Sequence, residues 1–177
     1  MPKNRAQGVI FGILMSMTMA YGMEVYNVAW KMGYPTMAGG LSNMTDEVFL
    51  AALMEAAYMW LFVFLFSSLW GNRLGSRMAS RYVTAEKDNA LVCGTVRACC
   101  TVLVMCPTMS LVASILFGVI LAGDPLSQLP AIWVGTTIKN FPMALLWNLF
   151  AAGPLSRLTF RTFFGRVGVK DKAPVTA

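Results

Sequence analysis

Four stretches of this 177-residue chain are apolar with hardly a break: Val9 to Trp30, Val48 to Trp70, Cys99 to Ala122 and Ile132 to Ala152. A helix needs roughly 20 residues to cross a hydrocarbon core of ~30 Å, and each stretch is about that long. The segments between them carry the glycines, prolines and charges that end helices. The pattern predicts an all-α integral membrane protein with four transmembrane helices, at about 9–30, 48–70, 99–122 and 132–152. The first run is too long for a secretory signal and lacks a small-x-small cleavage site, so it is expected to stay in the mature chain.

Composition agrees with the pattern. Hydrophobic residues make up 57% of the chain and charged residues 12%, far from the quarter-charged mix of a soluble domain. Mean hydropathy is +0.61. The net charge of +6 raises the question of a nucleic-acid partner, but its placement answers for a membrane instead. Lys3 and Arg5 precede the first helix. Arg73, Arg77, Arg81, Lys87 and Arg97 follow the second, and Arg157, Arg161, Arg166, Lys170 and Lys172 follow the fourth. The opposite side has Lys31 against Asp46, Glu47 and Asp124. The positive-inside rule then puts both termini in the cytoplasm. Trp30, Tyr34 and Trp133 outside, with Trp70 and Tyr82 inside, fit interfacial aromatic belts.

The chain also repeats. With an offset of 84, Glu55 to Arg77 lies on Lys139 to Arg161 with seven identities in 23 positions, among them Arg73/Arg157 and Arg77/Arg161. With an offset of 86, Gly8, Met19 and Met23 match Gly94, Met105 and Met109. Two helical hairpins, 1–90 and 91–177, are therefore expected. Both start in the cytoplasm, which makes them parallel copies about an axis along the membrane normal. Small residues recur every fourth position at Gly8, Gly12, Ser16, Ala20 and at Gly94, Ala98, Val102, Cys106, Ser110, Ser114, Gly118, Ala122. Such stripes allow close backbone approach, so the first and third helices are expected to pack through them. Glu24 continues the first stripe and should point inward.

PKNRAQGVIFGILMSMTMAYGMEVYN, with its Met-x-x-x-Met-x-x-x-Met ladder and Tyr26-Asn27, and the later NFPMALLWNLFAAGPLSR resemble small bacterial membrane proteins with tandem copies of the domain of unknown function 2798. The resemblance covers both hairpins. The first departs from it, with Glu55-Ala56-Ala57-Tyr58 where the second has Lys139-Asn140-Phe141-Pro142, and Trp70 in place of Pro154. It implies a four-helix protein of the bacterial inner membrane and carries no established activity.

Three ionisable side chains share one depth. Glu55 and Lys139 sit seven residues into their helices, roughly 10 Å below the outer end, and Glu24 is about 9 Å below Trp30. Tyr21, Asn27, Tyr58 and Asn140 lie near that level. A charge near mid-bilayer costs at least about 2.5–3.5 kcal/mol on insertion scales, so such groups face a bundle interior or water and find partners. The repeat register makes Glu55 and Lys139 the expected pair. One reading is a structural ion pair that fixes how the hairpins associate. The other is an outward-facing polar pocket, where two carboxylates and one ammonium leave a net negative charge suited to a cation or proton.

The four cysteines fall on the third helix as C-x5-CC-x5-C. Two turns separate each same-face pair by about 10 Å, too far for a disulfide within the helix. Together with the methionines they raise a soft-metal alternative through Cys99, Cys106, Met105 and Met109. Methionine equally fills gaps in helix packing. The chain has no histidine and no Gly-rich phosphate loop, so Ser-His, His-metal and nucleotide chemistries lack their residues, and no cofactor or enzyme activity is expected. Pro107 and Pro142 interrupt the third and fourth helices, each a site for a kink.

The reading that follows is a small secondary transporter or exporter of a small cationic molecule or ion, with proton exchange as a coupling. Glu24 and Glu55 carry the cation or proton, Lys139 sits beside Glu55, and Tyr58 and Asn140 supply hydrogen bonds. Because four helices enclose little volume, a homodimer in membrane lipid is the expected working unit. The alternative is a non-transporting scaffold or partner subunit whose polar residues specify assembly.

Overall fold

The computed structural model describes residues 4–38, 40–84 and 88–164. The expected cytoplasmic cations Lys3, Lys87, Arg166, Lys170 and Lys172 lie outside them. Four long helices account for most of the rest: α1, Arg5–Lys31; α2, Asp46–Ala79; α3, Leu91–Leu121; and α4, residues 129–164. No strand occurs among the described residues.

The ends follow local chemistry. α1 stops where Gly33 adopts φ 81°, a left-handed conformation that glycine enters without a Cβ penalty, and the Gly33 N–H closes on the Trp30 carbonyl at 3.0 Å. α2 opens with Asp46 and Glu47 in its first turn, where the helix dipole favours carboxylates. Asn89 caps α3 by accepting from the Leu91 N–H at 3.0 Å.

The helices outrun their apolar stretches. α2 and α4 continue through the basic segments that carry Arg73 and Arg77, and Arg157 and Arg161, while α3 starts eight residues before Cys99. The apolar run locates the lipid-facing part of a helix. It does not say where hydrogen bonding stops, because arginine and lysine are good helix formers. Three helices, α1, α2 and α3, are long and apolar enough to cross a membrane. α4 is of similar length and carries Lys139, Asn140 and Asn148 within its apolar part. Outward faces are greasy, with Met54 70%, Ile120 64% and Phe150 76% exposed. This is the inverse of a water-soluble bundle, and it is what helices in lipid present.

The packing is a ring: α1 lies against α2, the C-terminal part of α2 against α3, α3 against α4, and α4 back against α1. Small residues make the contacts. Val28, Ala29, Val48 and Ala52 join α1 to α2; Val102, Cys106 and Ala144 join α3 to α4. At Gly22 the Trp147 ring occupies the place a Cβ would take, and the same indole donates to the Thr18 carbonyl at 2.9 Å. Gly75 likewise rests on the Thr101 backbone.

The two small-residue stripes do not pack against each other. α1 and α3 stand across the ring with no run of close backbone approach. Ser16, Ala20 and Glu24 on one helix and Val102, Cys106 and Ser110 on the other line the space between them. The expectation of close packing is corrected: the stripes make room.

Candidate functional site

A cavity of about 270 Å³ runs down the middle of the ring. On α1 its wall extends from Gly8 to Asn27, a rise of ~28 Å at 1.5 Å per residue, so it is a long slot and not a chamber. Six methionines face it: Met15, Met19 and Met23 from α1, Met59 from α2, and Met105 and Met109 from α3. Ser67 and Asn148, which open π-helical turns in α2 and α4, also line it. A π turn shifts the helix face by inserting a residue and frequently marks a functional site.

At the end of the slot nearest the C-terminus of α1 stand Glu24, Asn27 and Asn140. Glu24 is 3% exposed and Asn140 4%. Among the described residues, Oε2 of Glu24, Oδ1 of Asn27 and Oδ1 of Asn140 are buried without a hydrogen-bond donor. Each orphaned acceptor costs about 1–3 kcal/mol, and a charged one more. Three at one end of one cavity call for a common explanation. Glu24 stands close enough to Glu55 for a carboxyl–carboxyl hydrogen bond, and Lys31 and Lys139 are within electrostatic range of it.

The expected partner of Glu55 is corrected. Lys31 donates to both of its oxygens, at 2.9 and 2.8 Å, and its ammonium also sits 3.7 Å from the centroid of the Phe117 ring. This clasp ties α1, α2 and α3 together. Lys139 makes no ion pair within 4 Å among the described residues and lies 5.7 Å from the centre of the Trp30 ring. A second cavity, of about 110 Å³, is lined by Glu24, Asn27, Lys31 and Lys139 together with Ser114 and Phe117. Lys31 lies one residue beyond the first apolar run but is the last residue of α1, seven residues from Glu24 and two turns along the same helix face. That spacing was the available signal. The cluster thus holds two carboxylates and two ammoniums, one ammonium more than the sequence suggested, so with all four ionised its net charge is zero and the expected negative excess is absent.

Of the seven expected site residues, Glu24, Asn27, Asn140 and Lys139 line the cavities. Glu55 is held in the clasp. Tyr58 stacks on Phe117 with ring centroids 6.3 Å apart, and Tyr21 packs among the small residues between α1 and α2; neither lines a described cavity. Of the soft-metal set, Cys106, Met105 and Met109 share the slot wall and Cys99 does not. The Cys106 thiol donates to the Thr137 carbonyl at 3.9 Å. No group of three histidine, cysteine, aspartate or glutamate residues suited to a metal occurs among the described residues. Asn148, two turns from Asn140 on the same face of α4, is a polar wall residue that the sequence reading passed over.

Helices α1, α4 and α3 are fastened around the slot by polar side chains on backbone. Tyr26 donates to the Lys139 carbonyl at 3.2 Å, and Trp133 donates to the Pro107 carbonyl at 2.9 Å. The fold and site are those of an all-helical protein with the long apolar helices of a membrane protein and a polar-ended internal cavity. No protein-family model, no curated protein and no solved structure matches the chain.

Proposed function

We propose that the chain is a small secondary transporter or exporter of a small cationic molecule or ion, coupled to proton exchange, in the bacterial inner membrane. Four helices cross the bilayer with both termini inside, in the orientation favoured by the distribution of basic residues. The observation that carries the reading is the Glu24 carboxyl: it is buried, aimed at a cavity and without a donor on Oε2. An acidic group inside a membrane protein faces a cavity or pathway and takes a partner there. Asn27 and Asn140 add acceptors at the same end. Glu55 is reassigned from cargo binding to bracing, since Lys31 already engages both its oxygens.

The two hairpins, α1–α2 and α3–α4, are proposed as parallel repeats on the sequence identities, in line with the resemblance to tandem domain-of-unknown-function 2798 proteins. A homodimer is the proposed working unit, on the ground that four helices enclose little volume. One chain by itself lines a cavity of about 270 Å³, so the wall does not require a second copy.

The test is flux in proteoliposomes. Glu24→Gln keeps the shape and cannot ionise; it is expected to insert and fold as wild type and to lose cation-dependent flux. Unchanged flux would remove Glu24 from the mechanism. The clasped Lys31–Glu55 pair favours a second reading, a scaffold whose charges specify assembly. If the wild type moves none of a broad panel of cations, metals and amines and co-purifies with another membrane protein from its host, that reading prevails.

A further inference from the structure

We propose that the slot takes a linear amphiphile with a primary ammonium head: the head meets the Glu24, Asn27 and Asn140 oxygens and an unbranched apolar chain lies along the methionine wall. The inference rests on the cavity-and-carboxylate reading above and names its substrate class.

The head follows from the orphaned atoms. Of the four such atoms among the described residues, three are oxygen acceptors at one end of the slot, and the fourth, Ser156 Oγ, does not line it; a primary ammonium brings three N–H donors and a positive charge. A quaternary ammonium would satisfy the charge and leave the two amide oxygens without donors. A proton on Glu24 would supply one donor among three acceptors. The tail follows from the shape. The wall runs ~28 Å along α1, a length that an extended chain follows and a compact ring system does not. Methionine is unbranched and polarisable, so it moulds to a flexible apolar chain without fixing one geometry.

A soft metal ion fits less well. Six thioethers spaced along the slot exceed what one ion can gather, Cys106 is engaged with the Thr137 carbonyl, and hard oxygen acceptors are not soft-metal ligands. The same ammonium head exists on free alkylamines and on aminophospholipids, and the experiment separates these two sources.

The full chain is placed in phosphatidylcholine nanodiscs, whose headgroup has no N–H, and binding of labelled octylamine is measured against empty discs. Octylamine should bind once per chain, at least about tenfold more tightly than trimethyloctylammonium, which has the same tail and no N–H, and than butylamine, which has the same head and a short tail. Asn140→Leu and Asn27→Leu should each cut the preference over the quaternary analogue to about threefold or less, and Glu24→Gln should abolish binding. Two independent asparagine variants keep the test usable if one fails to fold. Displacement of octylamine by added phosphatidylethanolamine supports the inference with the bilayer as source; failure to displace it supports it with a free amine as source.

Equal binding of the quaternary analogue, or of butylamine, overturns it. So does stoichiometric binding of silver ion in preference to octylamine, which would assign the wall to a soft metal. Flux separates the two levels of the argument. Glu24-dependent transport of potassium or of the quaternary cation, without octylamine binding, keeps the transporter and removes this ligand. Octylamine binding by these criteria with no cation moved keeps the ligand and removes the transporter.

Discussion

Replacing Lys31 with methionine should destabilise the protein through Glu55, and replacing Lys139 should not. Lys31 Nζ reaches both Glu55 oxygens, but the two side chains are 44% and 22% exposed, so water screens much of the attraction. Pairs of that kind contribute about 0.2–1 kcal/mol in double-mutant cycles. The Phe117 ring, 3.7 Å from the ammonium, adds about 0.5–1 kcal/mol. Lys31→Met therefore costs about 1–2 kcal/mol in total, and the part coupled to Glu55 is about 1 kcal/mol or less.

For a chain of this size 1 kcal/mol moves the melting midpoint by about 2–4 °C. Thermal unfolding of the detergent-solubilised protein should therefore show a drop of a few degrees for Lys31→Met. Once Glu55→Gln is already in place, the same substitution should lose less, because the phenyl contact alone remains to be broken. The parallel cycle, Lys139→Met with Glu55→Gln, should be additive within the error of such cycles, about 0.3–0.5 kcal/mol. A coupling between Glu55 and Lys139 equal to or larger than that between Glu55 and Lys31 would refute the assignment of the clasp.

Two further outcomes follow from packing and from charge. Gly22→Ala drives a methyl into the Trp147 ring and breaks its bond to the Thr18 carbonyl, a loss of about 2–4 kcal/mol from overpacking and the hydrogen bond; combining it with Trp147→Leu should recover part of that loss in thermal unfolding, and additive losses would separate the two residues. In a chain whose native cysteines are replaced, Asn43→Cys should react with an impermeant thiol reagent in intact cells and Ser80→Cys should not. The reverse pattern would invert the proposed topology.

Much of this was legible from residue order. Four apolar runs predicted four long helices, and the four-residue spacing of Ser16, Ala20 and Glu24 put the glutamate on an inward face, where it is 3% exposed. Charge pairing was less legible. The repeat aligned Glu55 with Lys139, but alignment relates equivalent positions in two copies and does not bring them together in space. Lys31 reached Glu55 instead because a four-carbon stem at the end of α1 can fold back along the helix. The orphaned oxygens of Asn27 and Asn140 were beyond sequence reasoning altogether, since whether a polar atom finds a donor depends on which helices are neighbours.

The small-residue stripes carry the sharpest lesson, because small side chains serve opposite ends: they let two helices meet, or they leave a void where two helices are held apart. What decides between these here is the residue one step before each position of the stripe. Met15, Met19 and Met23 precede Ser16, Ala20 and Glu24, and Met105 and Met109 precede Cys106 and Ser110. All five line the slot. Long flexible side chains there keep α1 and α3 apart, and the small residues between them become its walls. Met15, Met19 and Met23 changed together to alanine should let the two stripes close. In a chain retaining Cys106 as its one native cysteine and carrying Ala20→Cys, oxidation should form little disulfide with the methionines present, because a bridge needs Cα atoms within about 7 Å. It should form readily in the triple variant. Equal cross-linking in both would mean that the methionines are passengers in the wall and that something else holds the slot open.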